Sequence, residues 1–153
     1  MNKLTICDAK TEHIRDIWEL RNEFNTRNMM LNNTSIKWEE HKEWFTRVFR
    51  DQNYFIFICN YDNKPIGVSR FNQSKNFHNA YEISIILNIE YRGKGFGTFF
   101  LKQSINLLYK KLGKRAQLIA KIKKDNFSSK SLFMKNGFKV NSNFKDYIQY
   151  CNF

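Results

Sequence analysis

The sequence predicts one α/β domain, 1–153, with a mixed, mostly antiparallel sheet of six or seven strands flanked by about four helices. Three observations lead there. The 153 residues include a single proline, Pro65, and no internal repeat or low-complexity stretch, so nothing marks a linker or a second domain. Apolar segments of strand and helix period follow one another in the order β-α-α-β-β-β-α-β-α-β-β. Between the fourth strand and the third helix lies Tyr91-Arg92-Gly93-Lys94-Gly95-Phe96-Gly97-Thr98, with glycines at alternate positions.

Leu4-Thr5-Ile6-Cys7 alternates like a first strand, and residues 10–13 open a helix with Ile14, Ile17 and Trp18 inward. Residues 22–35 read as a polar loop containing Arg27, Met29 and Met30. A second helix begins at Ser35 or Lys37, with Trp38, Trp44, Phe45, Val48 and Phe49 at helical spacing. Strand 54–59, the turn Asp62-Asn63-Lys64-Pro65 and strand 65–71 make a hairpin. Strand 80–88 sets Ile83, Ile85 and Leu87 on one face, taken as the core face, and Glu82, Ser84 and Ile86 on the other. Helix 96–112, strand 116–122, helix 126–135 ended by Gly137, and strands 138–142 and 146–151 complete the chain.

The glycine turn has a definite chemistry. Glycine lets the backbone bend sharply and approach a ligand without Cβ interference. A helix start aims unpaired N–H groups and its positive end into the turn, which makes an anion cradle. The spacing Gly93-x-Gly95-x-Gly97 is neither the dinucleotide fingerprint nor a P-loop. Arg92 and Lys94 in the same turn suit a polyphosphate, although a plain strand-to-helix connection would also use glycine.

Residues 1–67 carry ten Lys/Arg against ten Asp/Glu, and residues 68–153 carry sixteen against four, so the whole net charge of +12 lies in the half with the turn. That excess suits a nucleotide, a cofactor or a nucleic acid, or reflects compositional drift. No N-terminal apolar run of signal-peptide length and no membrane-span window is present. Cys7, Cys59 and Cys151 are scattered without a C-x-x-C pair and read as reduced thiols of a cytoplasmic protein. With His13, His41 and His78 also lacking ligand spacing, no metal is expected.

Arg92-x-x-Gly95-x-Gly97 at the fourth strand-to-helix turn, followed by Asn126-x-x-Ser129-x-x-Leu132-Phe133-x-Lys135-x-Gly137-Phe138, resembles the GCN5-related N-acetyltransferases across nearly the whole chain. The resemblance implies acetyl-CoA in a cleft where strands 80–88 and 116–122 splay apart, between the fourth and fifth strands. The turn from Arg92 to Thr98 (Arg92, Gly93, Lys94, Gly95, Phe96, Gly97, Thr98) would hold the pyrophosphate. The backbone near Ile86 and Leu87 would pair with the pantetheine arm, Asn126 would contact the same arm, and Ser129 and Phe133 would lie near the thioester.

A narrower resemblance, to acetyltransferases of nucleotide-linked amino sugars of the pseudaminic acid type, rests on Leu20-Arg21-Asn22, Arg27, Ile36-x-x-Glu39-Glu40-His41-x-x-Trp44-Phe45 and Gly67-x-x-Arg70-Phe71. That subgroup has Trp-Arg-Asn where this chain has Leu20-Arg21-Asn22. It implies a UDP-linked amino sugar as acceptor, with Arg21, Asn22, Arg27, His41 and Trp44 as its contacts. His41 also reads as a helix brace, and Trp44 as packing.

N-acetyl transfer needs a sink for the amine proton and a donor for the leaving thiolate. Glu82 is the candidate base, with Ser84 as relay; pairing with a lysine across the sheet is the other reading of Glu82. Where the family commonly has its acid tyrosine this chain has Phe133, so either the donor is one of Tyr147, Tyr150 and Tyr81, with Tyr147 as the candidate, or the thiolate leaves with help from a water or a backbone N–H. Acetylation of a protein N-terminus or of another small amine is the alternative enzyme, and a basic nucleic-acid-binding or acyl-CoA-sensing domain the non-enzymatic one. The partners expected are a small-molecule amine, neither nucleic acid nor membrane, and a homodimer is allowed for.

Overall fold

The computed structural model describes residues 3–153; Met1 and Asn2, inside the expected domain, lie outside the described residues. A seven-stranded sheet runs through it: β1 (Leu4–Asp8), β2 (Tyr54–Tyr61), β3 (Lys64–Gln73), β4 (Ala80–Leu87), β5 (Gln117–Lys123), β6 (Lys139–Asn143) and β7 (Tyr147–Cys151), in the spatial order β1-β2-β3-β4-β5-β7-β6. All neighbours pair antiparallel except β4 and β5, which pair parallel. The helices are α1 (Ile14–Asn22), α2 (Phe24–Asn28), α3 (Trp38–Phe49), α4 (Phe96–Leu112) and α5 (Phe127–Lys135).

One helix was not expected. The span 22–35, read as a loop, contains α2, whose first amides are held by Glu23: its carboxylate accepts from Asn25 N–H (3.0 Å) and Thr26 N–H (2.9 Å). A five-residue helix has too little sequence to show a period.

Both sheet faces are covered. On one, Phe57, Phe71, Tyr81, Ile83, Leu118, Ala120 and Tyr150 pack with Leu101 and Leu108 of α4 and Phe133 of α5. In α4 the buried positions Phe100, Leu101, Ser104 and Leu108 lie at helical spacing, and the Ser104 hydroxyl meets that of Ser69 at 2.8 Å, so neither is left unpaired in the core. Gly67 makes room for Phe100 of α4 to pack against the sheet. A Cβ there would stand 2.9 Å from the Ile86 carbonyl oxygen and 3.0 Å from the Phe100 ring.

The opposite face carries α1 and α3. Ile17, Leu20, Phe45 and Val48 pack onto Ile56, Ile58, Val68 and Ile86. The expectation that Ile86 sits on a non-core face is therefore corrected: that face of β4 is polar at Glu82 and Ser84 and turns apolar at Ile86, which is buried beneath α1 and α3. All three cysteines are free thiols, and burial pushes the Cys59 thiol up to about 12. No helix among the described residues is long and apolar enough to cross a membrane.

Candidate active site

The parallel pairing of β4 with β5 covers only Ala80↔Gln117, Tyr81↔Leu118 and Glu82↔Ile119. Beyond Glu82, β4 keeps its pairing with β3 as far as Leu87, and β5 keeps its pairing with β7 as far as Lys123. The two strands part between those partners, as the family resemblance implied. Two tethers hold the far end of β5 under α2: Lys123 Nζ donates to the Asn28 carbonyl (2.9 Å) and Asn126 Nδ2 to that of Met29 (3.3 Å).

The edge of β4 that faces the gap is a row of main-chain groups. Asn88 N–H donates to the Ile66 carbonyl of β3 at 2.7 Å, so strand alternation turns the amides of Ile85 and Leu87 to the other side, into the gap. This shifts the expected pair, Ile86 and Leu87, by one residue: the backbone groups of Ile86 point to β3. The Leu87 carbonyl is already taken, since Arg92 Nε donates to it at 2.8 Å.

At the end of β4 the chain makes a 3-10 turn, Ile89–Tyr91, and enters the glycine turn. Gly93 and Gly95 have φ of +75° and +82°, the left-handed region that L side chains rarely adopt, and a Cβ at either would meet nothing within 4 Å. The space over the turn is open. Gly95 is the N-cap of α4 and offers no side chain, so the first amides of the helix, from Phe96 to Thr98, have no side-chain cap. Gly97 differs from the other two glycines. It lies inside the helix, with 3.6 Å between an added Cβ and Leu132, an ordinary contact.

Arg92 does not reach into the turn. Its Nη2 donates to Thr26 Oγ1 (3.0 Å) and its Nε to Leu87, so the guanidinium ties α2 to the end of β4. Burial holds its pKa below the ordinary value, with Glu23 pulling the other way. Lys94 is exposed, with its Nζ 5.7 Å from the centre of the Tyr91 ring.

Several expected contacts are spent on the fold. Asn126 caps α5, its Oδ1 accepting from Ser129 N–H at 3.1 Å while its Nδ2 holds Met29. Phe133 is buried against Phe138, ring centres 4.9 Å apart and edge to face, and is a core residue. Asn22 secures the loop before α3: its Nδ2 donates to the Ile36 carbonyl and its Oδ1 accepts from Ile36 N–H, both at 2.8 Å. His41 is 2% exposed, with Nε2 at 2.7 Å from the Ile14 carbonyl and its ring among Trp38, Trp44 and Phe45, so it braces α3 against α1. Burial keeps its pKa below 6.5; the Ile14 contact raises it and Arg70 lowers it further.

What gathers beside the gap is polar. Glu82 Oε1 accepts at 2.9 Å from Lys121 Nζ, which lies two residues past the last paired rung along β5, with both side chains about one-third exposed (34%). Ser84 Oγ lies 3.3 Å from Arg70 Nη2, and the Arg70 guanidinium stands 5.4 Å from the centre of the Trp44 ring. Trp44, Arg47, Asp51, Tyr54, Asn72 and Lys75 line an open cavity of about 660 Å³. Asn72 is the cross-strand partner of Glu82. Arg70 and Lys121 were not among the expected site residues; strand register was the only signal for Lys121, and the Gly67-x-x-Arg70 spacing the one for Arg70. Of the three tyrosines, Tyr81 and Tyr150 are buried in the core, while Tyr147 is partly exposed, paired in register with Lys123 and stacked on Phe144 at 4.7 Å.

Comparison with known structures finds the same architecture. A spermidine N-acetyltransferase from Vibrio cholerae, solved with CoA and spermine, superposes with a TM-score of 0.82 at 18% identity, over 97% of this chain and 92% of that one. An N-acetyltransferase from Staphylococcus aureus Mu50 gives 0.78 at 22% identity, over 97% and 95%. The protein yncA from Salmonella typhimurium, solved with its cofactor acetyl-CoA, gives 0.76 at 19%, over 97% and 90%. At these identities the likeness carries the fold alone. No curated protein matches the sequence. The model of the acetyltransferase (GNAT) domain matches residues 3–139. A strand pair that parts beside an open glycine turn, on a chain matched by that model over most of its length, identifies it: the protein belongs to the GNAT acetyltransferase family, enzymes that take acetyl-CoA as acyl donor.

Proposed function

We propose that the protein transfers an acetyl group from acetyl-CoA to the amine of a small, anionic acceptor, of which a nucleotide-linked amino sugar of the pseudaminic acid type is the best-fitting example. The observation that carries this reading is the composition of the face beside the gap. Glu82 stands at the last β4–β5 rung paired with Lys121, and Arg70 rests on Ser84 two residues farther along β4. A polycationic amine would meet two positive charges there; an acceptor bearing phosphate would meet partners of the right sign.

Acetyl-CoA supplies the activated acyl thioester. The uncapped amides from Phe96 to Thr98 and the positive end of α4 are the groups offered to its pyrophosphate, with the turn at Gly93 and Gly95 open to approach. The gap-facing amides of Ile85 and Leu87 are offered to the pantetheine arm and the acyl oxygen. Glu82 Oε2, the oxygen not held by Lys121, takes the proton of the acceptor ammonium, and Ser84 Oγ lies two residues along the same face as a relay. Tyr147, the one of the three tyrosines outside the core, is assigned the proton returned to the thiolate. Trp44 and the cavity beyond it receive the bulk of the acceptor, and Arg27 its phosphates.

The test is thiol release from acetyl-CoA against UDP-amino sugars, polyamines, aminoglycosides and peptides with free N-termini. Turnover is expected with the UDP-amino sugars; turnover confined to polyamines or peptides would overturn the acceptor class.

A further inference from the structure

Past the rung Glu82↔Ile119 no main-chain pairing joins β4 to β5, yet the parted ends of the two strands are connected. The connection is α2. On the β4 side, Thr26 Oγ1 accepts from Arg92 Nη2 at 3.0 Å, while Arg92 Nε donates to the Leu87 carbonyl at 2.8 Å. On the β5 side, the Asn28 carbonyl accepts from Lys123 Nζ at 2.9 Å and the Met29 carbonyl from Asn126 Nδ2 at 3.3 Å. Thr26 and Asn28 lie within a single turn of helix, so that turn crosses the open end of the gap between Leu87 and Lys123.

Such a short helix needs its surroundings. Five residues are too few to persist on their own hydrogen bonds. The first amides of α2 are held by the Glu23 carboxylate, and the carbonyls at its C-terminal end by Lys123 and Asn126. Thr26 is buried, and its hydroxyl is committed to the partly buried Arg92. Arg92 immediately precedes Gly93. Whatever fixes its side chain therefore fixes the entry to the glycine turn together with the end of β4.

We propose that α2 is a strap that holds the gap open at a set width, with Thr26 and Lys123 as positioning residues that shape the acetyl-CoA site without touching the cofactor. Side chains then do between the parted strands what main-chain pairing does elsewhere in the sheet. This rests on the reading of the gap and the glycine turn as the acetyl-CoA site. A gap whose width is set beforehand binds its ligand without first ordering its own walls, so cutting the strap weakens binding. The strap's two ends act in series, so cutting both adds little to cutting one.

The Kd for CoA tests it, measured by titration calorimetry on the full chain in high salt, where a lost lysine charge does not imitate a lost tether. Thr26→Val keeps the shape without the hydroxyl, and Kd is expected to rise about tenfold. Thr26→Ser keeps the hydroxyl and should stay within about twofold of the unsubstituted chain. Lys123→Met, at a side chain about one-third exposed (32%), leaves the longer Asn126 contact and should raise Kd about fivefold. The double variant is expected near tenfold, against roughly fiftyfold for two independent contacts. Tm, read alongside, shows that each variant is folded at the temperature of the titration. If Thr26→Val does not fold, Lys123→Met against Lys123→Arg, which keeps a donor for Asn28, decides alone. No rise in Kd in the folded variants, or a double variant at the additive value, overturns the strap. Failure of the unsubstituted chain to bind CoA removes the acetyl-CoA reading itself; binding that no variant alters removes the strap alone.

Discussion

The two halves of the cleft are made of different material. On the side proposed for the donor the groups on offer are main-chain amides, from Phe96 to Thr98 at the start of α4 and Ile85 and Leu87 along β4, beside two glycines with positive φ. On the side proposed for the acceptor they are side chains from β3, β4 and β5: Arg70, Glu82, Ser84 and Lys121. The donor side thus depends on backbone conformation and tolerates many side chains. The acceptor side depends on identity and charge, residue by residue.

Substitutions can break that contrast. The largest effect is expected at Gly95. Valine there would be strained by φ of +82° and would put a branched side chain into the open turn, so acetyl-CoA affinity should fall at least ~100-fold while circular dichroism stays that of the folded domain. Unchanged affinity would mean that the turn is not the cradle.

Glu82→Gln comes next. It should lower kcat by about 100-fold at neutral pH, and by less in alkali, where the amine gives up its proton unaided. A loss that does not vary with pH would leave Glu82 only its pairing with Lys121.

His41 sharpens the comparison from outside the chemistry. Its folded pKa lies below 6.5 because of burial, so as pH falls below 6.5 the unfolded chain takes up the proton first, and stability drops as pH continues through the folded value. His41→Gln, which keeps a donor for the Ile14 carbonyl, should flatten Tm against pH across that window and leave the KM of both substrates nearly unchanged. A selective rise in acceptor KM would instead place the ring in the site. The smallest effect is expected for Gly97→Ala. Its Cβ finds 3.6 Å to Leu132 and its φ is ordinary, so cofactor affinity should move by less than ~2-fold, which sets Gly97 apart from Gly95 in a titration of both variants.

The same contrast explains what the sequence could disclose. A turn built from main chain announces itself, because positive φ calls for glycine and a following helix supplies the amides; Gly93, Gly95 and the start of α4 were visible that way. Strand alternation likewise placed Glu82 and Ser84 on one face. It could not say which backbone groups are left over, since that depends on the pairing register with β3, and the expected Ile86 gave way to Ile85. Nor does an asparagine's sequence position tell whether its amide serves a ligand or the fold. Asn22 and Asn126 hold Ile36 and Met29. Arg21 was expected as an acceptor contact; that it is buried, with its Nη2 on the Asn32 carbonyl, shows only in the folded chain.

The most direct measurement is an amide NMR titration of the ¹⁵N-labelled chain with CoA. The amides of Gly95, Phe96, Gly97 and Thr98, together with Ile85 and Leu87 on the gap edge, are expected to shift first and furthest. Saturable binding that leaves those amides unmoved while others shift would contradict a donor site made of main chain.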